Sequence, residues 1–141
     1  MSIATQIGIR ETRRIKADYY LTLDDIKKAR RFDDAILQGK WAHTDIHSGK
    51  NMEWQFELIE GPYQVPYRCL LPQGIENLIV GGRCIWVERE VMGTLRTQPN
   101  CMATGQAAGV AAALSARRNT NLRELDVKEI QTALREQNVL I

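Results

Sequence analysis

Both histidines of the chain lie in one short run, His43-Thr44-Asp45-Ile46-His47. Two histidines four residues apart would share one face of a helix, where they could hold a metal ion together with the intervening aspartate. The neighbouring Gly39, Ser48 and Gly49 favour a loop instead, in which this spacing does not align the two side chains. We therefore predict a loop here and no metal site.

The cysteines, Cys69, Cys84 and Cys101, are three in number and include no C-x-x-C pair. This pattern predicts neither a disulfide framework nor a metal cluster, and it is typical of a reducing, cytoplasmic setting. Cys84 lies beside an arginine and Cys101 near a predicted helix start, two settings that can lower a thiol pKa. Packing in the core is the alternative for both, so we predict no catalytic nucleophile.

The stretch from residue 77 to residue 114 combines a short apolar run with a segment rich in Ala and Gly. The apolar run, Leu78–Val80, is followed by two glycines and predicts a buried strand. The second segment predicts a helix that begins near Pro99. Because Gly105 and Gly109 recur at helical spacing, one face of this helix could lie very close to a sheet or to a flat ligand.

This stretch resembles the C-terminal flavin-contacting segment of FAD-dependent oxidoreductases. The family pattern has a strand ending in Gly-Arg, a loop, and a Cys-Met-x-x-Gly-Gln-Ala-Ala-Gly helix; Gly82-Arg83 and residues 101–109 match it. Residues 8–15 (GIRETRRI) and 66–70 (PYRCL) also resemble that family, and the motifs follow the family's order. A complete member has a long N-terminal region with a Gly-rich dinucleotide loop, and these residues contain no such loop.

The resemblance implies FAD as the cofactor and substrate-side, catalytic roles for His47, Arg68 and Arg96. In such flavoproteins the N-terminus of the helix faces the pyrimidine edge of the isoalloxazine ring, where the helix dipole would favour the anionic reduced flavin. Asn100→Asp is then predicted to oppose that anion with little change in thermal stability. The residues that the resemblance assigns to FAD are Gly81, Gly82, Arg83, Arg96, Pro99, Cys101, Met102, Gly105 and Gln106.

Local signals predict the remaining elements. Thr22 with Asp25 predicts a capped helix, and Asp126 with Glu129 predicts a capping box that opens the last helix. A helical turn is predicted over Asp33–Leu37, before Gly39. A long loop is predicted over residues 84–99. The predicted strands, where apolar and polar residues alternate, cover residues 3–9, 13–20, 54–58 and 63–71.

The composition is that of an ordinary soluble domain, with 44% hydrophobic and 26% charged residues and a net charge of +2. So small a charge does not predict nucleic-acid or membrane binding, and the Ala/Gly segment is too short to span a membrane. We predict an α+β fold in two parts. Residues 1–76 would form a small, mostly antiparallel sheet with a helical insertion, part of a substrate or cap domain. Residues 77–141 would form a strand-loop-helix that completes a Rossmann-type FAD-binding domain.

Three functions are compatible with these patterns. The resemblance implies the C-terminal part of an FAD-dependent oxidoreductase that acts on a small molecule and is inactive alone. It implies either an N-terminal FAD-binding half as partner or self-association. The alternatives are a non-enzymatic module whose Arg10, Arg13 and Arg14 bind an anionic partner, and a truncated, inactive enzyme. A yellow colour after purification would distinguish the first from the other two.

Overall fold

The computed structural model describes residues 5, 9–40, 43–47, 52–56 and 59–141, without side chains for 43–47 and 52–56. This part of the chain has four α-helices and two antiparallel two-stranded sheets, β1 with β4 and β2 with β3, which confirms the predicted α+β class. None of the described helices is long and apolar enough to cross a membrane. The helices are α1 (Leu23–Lys27), α2 (Arg89–Leu95), α3 (Gln98–Arg118) and α4 (Val127–Glu136). The strands are β1 (Ala35–Gly39), β2 (His43–His47), β3 (Met52–Phe56) and β4 (Tyr63–Pro66).

The core lies where α3 and α4 pack against each other and against β1. Fully buried side chains from the sheet, such as Ile36 and Val65, meet Met92 of α2 and Leu134 of α4 in one cluster. Burial of a large aliphatic side chain stabilises the fold by about 1.5–3 kcal/mol, so this single cluster holds the first strand and the last helix together.

The predicted helical turn over Asp33–Leu37 is wrong, because Ala35–Gly39 is strand β1. Its first three residues are all buried, and it pairs antiparallel with β4, with Leu37 opposite Val65. A helical turn would direct at least one of these three side chains to solvent. Pairing with a strand far along the chain therefore prevailed over the local signal.

The predicted loop at His43–His47 is also wrong, because these residues form β2 and pair with β3. His43 lies opposite Phe56 and His47 opposite Met52. The predicted strand over 54–58 overlaps β3, and the predicted strand over residues 3–9 lies almost entirely outside the described residues. The side chains of His43 and His47 also lie outside the described part of the structure.

Two further predicted strands are absent as regular elements of the described chain. Residues 13–20 make an isolated bridge between Ala17 and Pro72, and Ile15 N donates a hydrogen bond to the Cys84 carbonyl. The Leu78–Val80 run is connected through Val80 N, which donates to the Leu70 carbonyl. A strand needs a ladder of such bonds, so neither segment extends a sheet. The predicted strand over 63–71 is β4 only as far as Pro66, where a 3₁₀ helix follows.

The predicted loop over residues 84–99 is wrong in part, because it contains α2. The Glu88 carboxylate, just before α2, accepts a hydrogen bond from Leu23 N and so joins the starts of α1 and α2. The other helices agree with their predictions. Thr22 and Asp25 form the predicted capping box of α1, and Asp126 caps α4 by accepting from Lys128 N.

Arg123 connects three separate parts of the chain. It lies in the 3₁₀ helix Leu122–Glu124, and its guanidinium donates to the Pro72 and Ile75 carbonyls and to the Asp18 carboxylate. These bonds hold the segment before α4 against the turn that follows Leu71. They fix the position of α4 from outside the core.

Candidate functional site

The Gly81–Cys84 segment lies directly on the first turns of α3. Gly82 N donates to the Thr104 hydroxyl at 3.0 Å. A Cβ built on Gly81 would lie 3.0 Å from the Thr104 carbonyl oxygen and 3.1 Å from Gly105 Cα, so the α3 backbone or the Gly81 segment would have to shift by a few tenths of an ångström. Glycine at position 81 allows this approach without such a shift. The structure thus brings together the two motifs, Gly82-Arg83 and residues 101–109, that the sequence separates by a loop.

An open pocket of about 630 Å³ lies beside this contact. Gly82 has a left-handed backbone (φ +77°), which favours glycine, and a Cβ there would meet no atom within 4 Å. The chain therefore turns sharply while leaving the pocket side clear. The pocket is lined by Gly82, Arg83, Gln98, Cys101 and Met102.

The N-terminus of α3 at this pocket has no side-chain cap. Thr97 occupies the capping position but makes no capping bond, because its hydroxyl donates to the Thr94 carbonyl at 3.0 Å. Pro99 has no N–H, and the amides of Gln98 and Asn100 lack acceptors within the helix. This end of a long helix carries about half a positive charge. The pocket thus offers hydrogen-bond donors and positive potential.

Arg83 reaches from this pocket to neighbouring backbone. Its guanidinium donates to the Ile9 carbonyl at 2.9 Å and to the Arg96 carbonyl at 3.4 Å. Burial raises the pKa of the Cys101 thiol, and the nearby Arg83 lowers it by a smaller amount. Cys69 is fully buried, and burial raises its pKa too. Neither thiol has the low pKa of a nucleophile.

Arg96 lies beneath the α2–α3 corner and is only 4% exposed. Its guanidinium forms an ion pair with Glu11 at 3.1 Å, and the same carboxylate lies 4.0 Å from Arg89 Nε. Burial lowers the pKa of Arg96, Arg10 lowers it further, and Glu11 opposes both. Arg96 therefore acts on the pocket indirectly, because its backbone carbonyl orients Arg83. The guanidinium of Arg96 faces Glu11.

The structure does not bring Arg68 together with these residues. Arg68 forms a two-pronged ion pair with Asp34, at 2.8 and 3.1 Å, and lies over the Tyr19 ring at 5.0 Å. The cleft that it lines contains no residue of α3. His47 is placed by its backbone alone: β2 packs against α2, the helix that leads to Arg96. Among the described residues, no group of three metal-ligating side chains comes together.

A second groove, which sequence reasoning missed, lies on the other side of Met102. Its volume is about 800 Å³, and it runs between β1, β4, the start of α3 and residues 137–140. Tyr63, 1% exposed, packs against Gly39 so closely that no Cβ would fit there. The Tyr63 hydroxyl accepts from Asn100 Nδ2 at 3.0 Å, and the same nitrogen donates to Thr94 O at 2.9 Å. Tyr63 and Asn100 are 37 residues apart, so no local signal joins them.

The site combines a glycine-mediated backbone contact with an uncapped helix end. In a comparison with known families, the chain matches the family model described as FAD dependent oxidoreductase over residues 1–134. The chain therefore belongs to the FAD-dependent oxidoreductase family. Comparisons with curated proteins and with solved structures found no match.

Proposed function

We propose that the chain supplies the flavin-contacting segment, and part of the substrate pocket, of an FAD-dependent oxidoreductase. The observation that carries this proposal is the contact between Gly81–Cys84 and the uncapped first turn of α3. When bound, FAD supplies the redox chemistry by accepting and returning a hydride. The chain's own residues bind and orient it.

The chemistry of the pocket lining fits the pyrimidine edge of a flavin. That edge presents carbonyl oxygens and a ring nitrogen, which accept hydrogen bonds and gain negative charge on reduction. The described lining offers the Gln98 amide and the Arg83 guanidinium as donors, and no carboxylate is among its residues. A preorganised set of donors stabilises developing negative charge without having to rearrange.

We propose the following division of roles among the remaining residues. Gly81 permits the close contact with the α3 backbone at Thr104 and Gly105, and Arg96 positions Arg83 through its backbone carbonyl. Pro99, Cys101, Met102 and Gln106 lie on the first three turns of α3. Cys101 and Met102 line the proposed flavin pocket, whereas Pro99 and Gln106 line the groove that Met102 also borders. His47 is proposed for the substrate side because β2 packs on α2. The role of Arg68 rests on the family resemblance alone.

The exposed face of α3 supports docking with an FAD-binding domain. Gly105 and Gly109 are exposed, and a Cβ on either would meet no atom within 4 Å. Met102, on the same face, is 73% exposed. The pyrophosphate of FAD normally lies on a Gly-rich loop, which these 141 residues do not contain. We therefore propose that the chain alone binds FAD weakly and that the other half of the site comes from a partner or from another part of a longer chain.

Reconstitution tests the proposal. The chain is mixed with the N-terminal FAD-binding half of a full-length family member, and bound flavin is measured by its absorbance after gel filtration. We expect the pair to retain FAD and either half alone to lose it. Gly105→Leu should fold normally, since its side chain enters open space, yet block flavin retention. Arg117→Leu, at an exposed position in the last turn of α3, is the matched control and should retain flavin. A pair that never retains FAD would contradict the proposal.

A further inference from the structure

We propose that the groove beside Tyr63 is the substrate subsite of this flavin site and takes a flat, uncharged carbonyl compound whose oxygen accepts a hydrogen bond from the Tyr63 hydroxyl. The inference rests on the proposed function, because it places the substrate across Met102 from the flavin pocket. Met102 lines both spaces.

The direction of one hydrogen bond leaves Tyr63 with a proton to donate. A phenol hydroxyl has one proton and two lone pairs. Asn100 Nδ2 donates to the Tyr63 oxygen, so this contact uses a lone pair and leaves the proton available. Within the described part of the chain, no acceptor receives that proton. A buried donor that lacks an acceptor destabilises the folded protein, and a ligand carbonyl would supply the missing acceptor.

Burial keeps this hydroxyl in the donating form. Burial raises the pKa of Tyr63, and the hydrogen bond from Asn100 opposes it by a smaller amount. The phenol is therefore protonated at neutral pH. Asn100 also holds the hydroxyl in place, because its amide bridges Tyr63 and the Thr94 carbonyl.

The lining of the groove disfavours a charged ligand. Its volume of about 800 Å³ is within the usual range for small-molecule sites, roughly 300–1,000 Å³. Lys40, at the exposed end of β1, is the single charged residue of its described lining. A charged ligand would lose hydration without gaining a buried partner. The apolar wall is formed by Leu37, Pro99, Met102, Val139 and Leu140.

Three fluorinated probes separate these features on the chain alone, without flavin. They are 4-fluoroacetophenone, which has the carbonyl acceptor, 4-fluoroethylbenzene, which lacks it, and 4-fluorobenzoate, which is charged. Binding is measured by ¹⁹F NMR line broadening and titration. We expect the ketone to bind most tightly and the benzoate at least about ten-fold more weakly than the ketone.

Tyr63→Phe keeps the ring but removes the proposed donor, together with the oxygen that accepts from Asn100 Nδ2. It should weaken ketone binding about five-fold, the effect of one net hydrogen bond, and leave ethylbenzene binding unchanged. Tyr67→Phe is the matched control, because Tyr67 is equally buried but donates to the Leu122 carbonyl away from the groove. It should leave the binding of both probes unchanged, and circular dichroism checks that each variant folds.

Three results would overturn the inference: no probe binds the unchanged chain, benzoate binds better than the ketone, or Tyr63→Phe weakens both neutral probes equally. Its failure is distinct from failure of the proposed function. Reconstituted flavin binding with no ketone preference would reject the substrate subsite only. Ketone binding through Tyr63 without flavin reconstitution would reject the flavin role and leave a carbonyl-binding groove without a flavin beside it.

Discussion

At the scale of single residues, Asp25 is the clearest case of a side chain whose surroundings set its charge. It is buried and accepts hydrogen bonds from the Tyr19 hydroxyl, from Thr22 N and Oγ1, and from Arg30. Burial works against ionisation, but these hydrogen bonds outweigh it and lower the pKa of Asp25. The sequence predicted the capping contact with Thr22. It could not predict Tyr19 and Arg30, because their side chains reach Asp25 only through the loops on either side of α1.

Asp25→Asn should therefore destabilise the protein in a pH-dependent way. A carboxylate with a lowered folded pKa contributes stability above its unfolded value of about 3.9, and that stability is lost as the pH falls through the folded pKa. We expect a loss of roughly 1.5–3 kcal/mol at pH 7 that begins to shrink below about pH 4 and vanishes only as the pH falls through the lower folded pKa. Urea unfolding measured at several pH values checks this. Asp24→Asn, in an exposed pair with Lys28, is the control and should leave the stability at pH 7 nearly unchanged.

Asn100 shows why a charge test of the helix end must use another residue. The sequence predicted that Asn100→Asp would leave thermal stability almost unchanged. The structure contradicts this, because the Asn100 amide donates to both Tyr63 and Thr94. A carboxylate would lose both bonds and face the Thr94 carbonyl, at a cost of about 1–3 kcal/mol.

Gln98→Glu is the better test, since Gln98 is exposed at the first position of α3 and lines the pocket. In the reconstituted pair, the new charge should oppose the anionic reduced flavin. An interaction of about 0.3–1 kcal/mol lowers a two-electron potential by roughly 6–20 mV. A spectroscopic redox titration measures the shift. Gln73→Glu, in an exposed turn outside the pocket lining, is the control, and an equal potential in all three proteins would mean that α3 points elsewhere.

At the scale of elements, prediction worked where the signal is local and failed where pairing is distant. The start of α1 was found from its cap, and α3 from its alanines, because both signals lie within a few residues. Strand β1 was missed because its partner β4 begins more than twenty residues later, at Tyr63. Helix α2 was missed because its start lies in a charged run, which is more typical of a loop. Its apolar face is formed by Val91, Met92 and Leu95, which are buried.

The contact between Gly81 and α3 predicts a sharp difference between two glycines. Gly81→Ala places a Cβ against the Thr104 carbonyl and Gly105, so either segment must move. We expect a loss of about 1–3 kcal/mol, together with loss of flavin in the reconstituted pair. Gly109→Ala enters open space inside a helix and should gain about 0.5–1 kcal/mol. Thermal and urea unfolding measure both, and tolerance of Ala at position 81 would contradict the geometry.

At the scale of the whole molecule, the family resemblance identified the motifs Gly82-Arg83 and 101–109, whereas no sequence signal predicted the groove. The structure adds that the two motifs are in contact, through the bond from Gly82 N to the Thr104 hydroxyl. The groove depends on Tyr63, Gly39 and Asn100, which come from three elements and meet only after folding. Arg68 was assigned to the site from the resemblance alone. A sequence match cannot reveal its ion pair with Asp34, which holds Arg68 away from the start of α3.

The exposed face of α3 predicts that the isolated chain associates with itself. A contiguous apolar surface of this kind drives association, and Met102 is its largest exposed side chain among the described α3 residues. Sedimentation velocity should give a coefficient that rises with concentration, and Met102→Glu should abolish the rise. Leu140→Glu, equally exposed at 73% but outside α3, should not. A compact monomer at every concentration would refute this expectation.

The Arg123 contacts have a consequence for the order in which the chain folds. Arg123 and Asp18 are 105 residues apart, and the Pro72 carbonyl lies 51 residues from Arg123. Contacts between such distant residues close long loops, so we expect these bonds to form after the rest of the chain has condensed. Arg123→Ala should then leave the folding rate nearly unchanged and accelerate unfolding, as stopped-flow kinetics would show. The Arg123 contacts would then control the unfolding rate, and with it the lifetime of the native state, without controlling the folding rate.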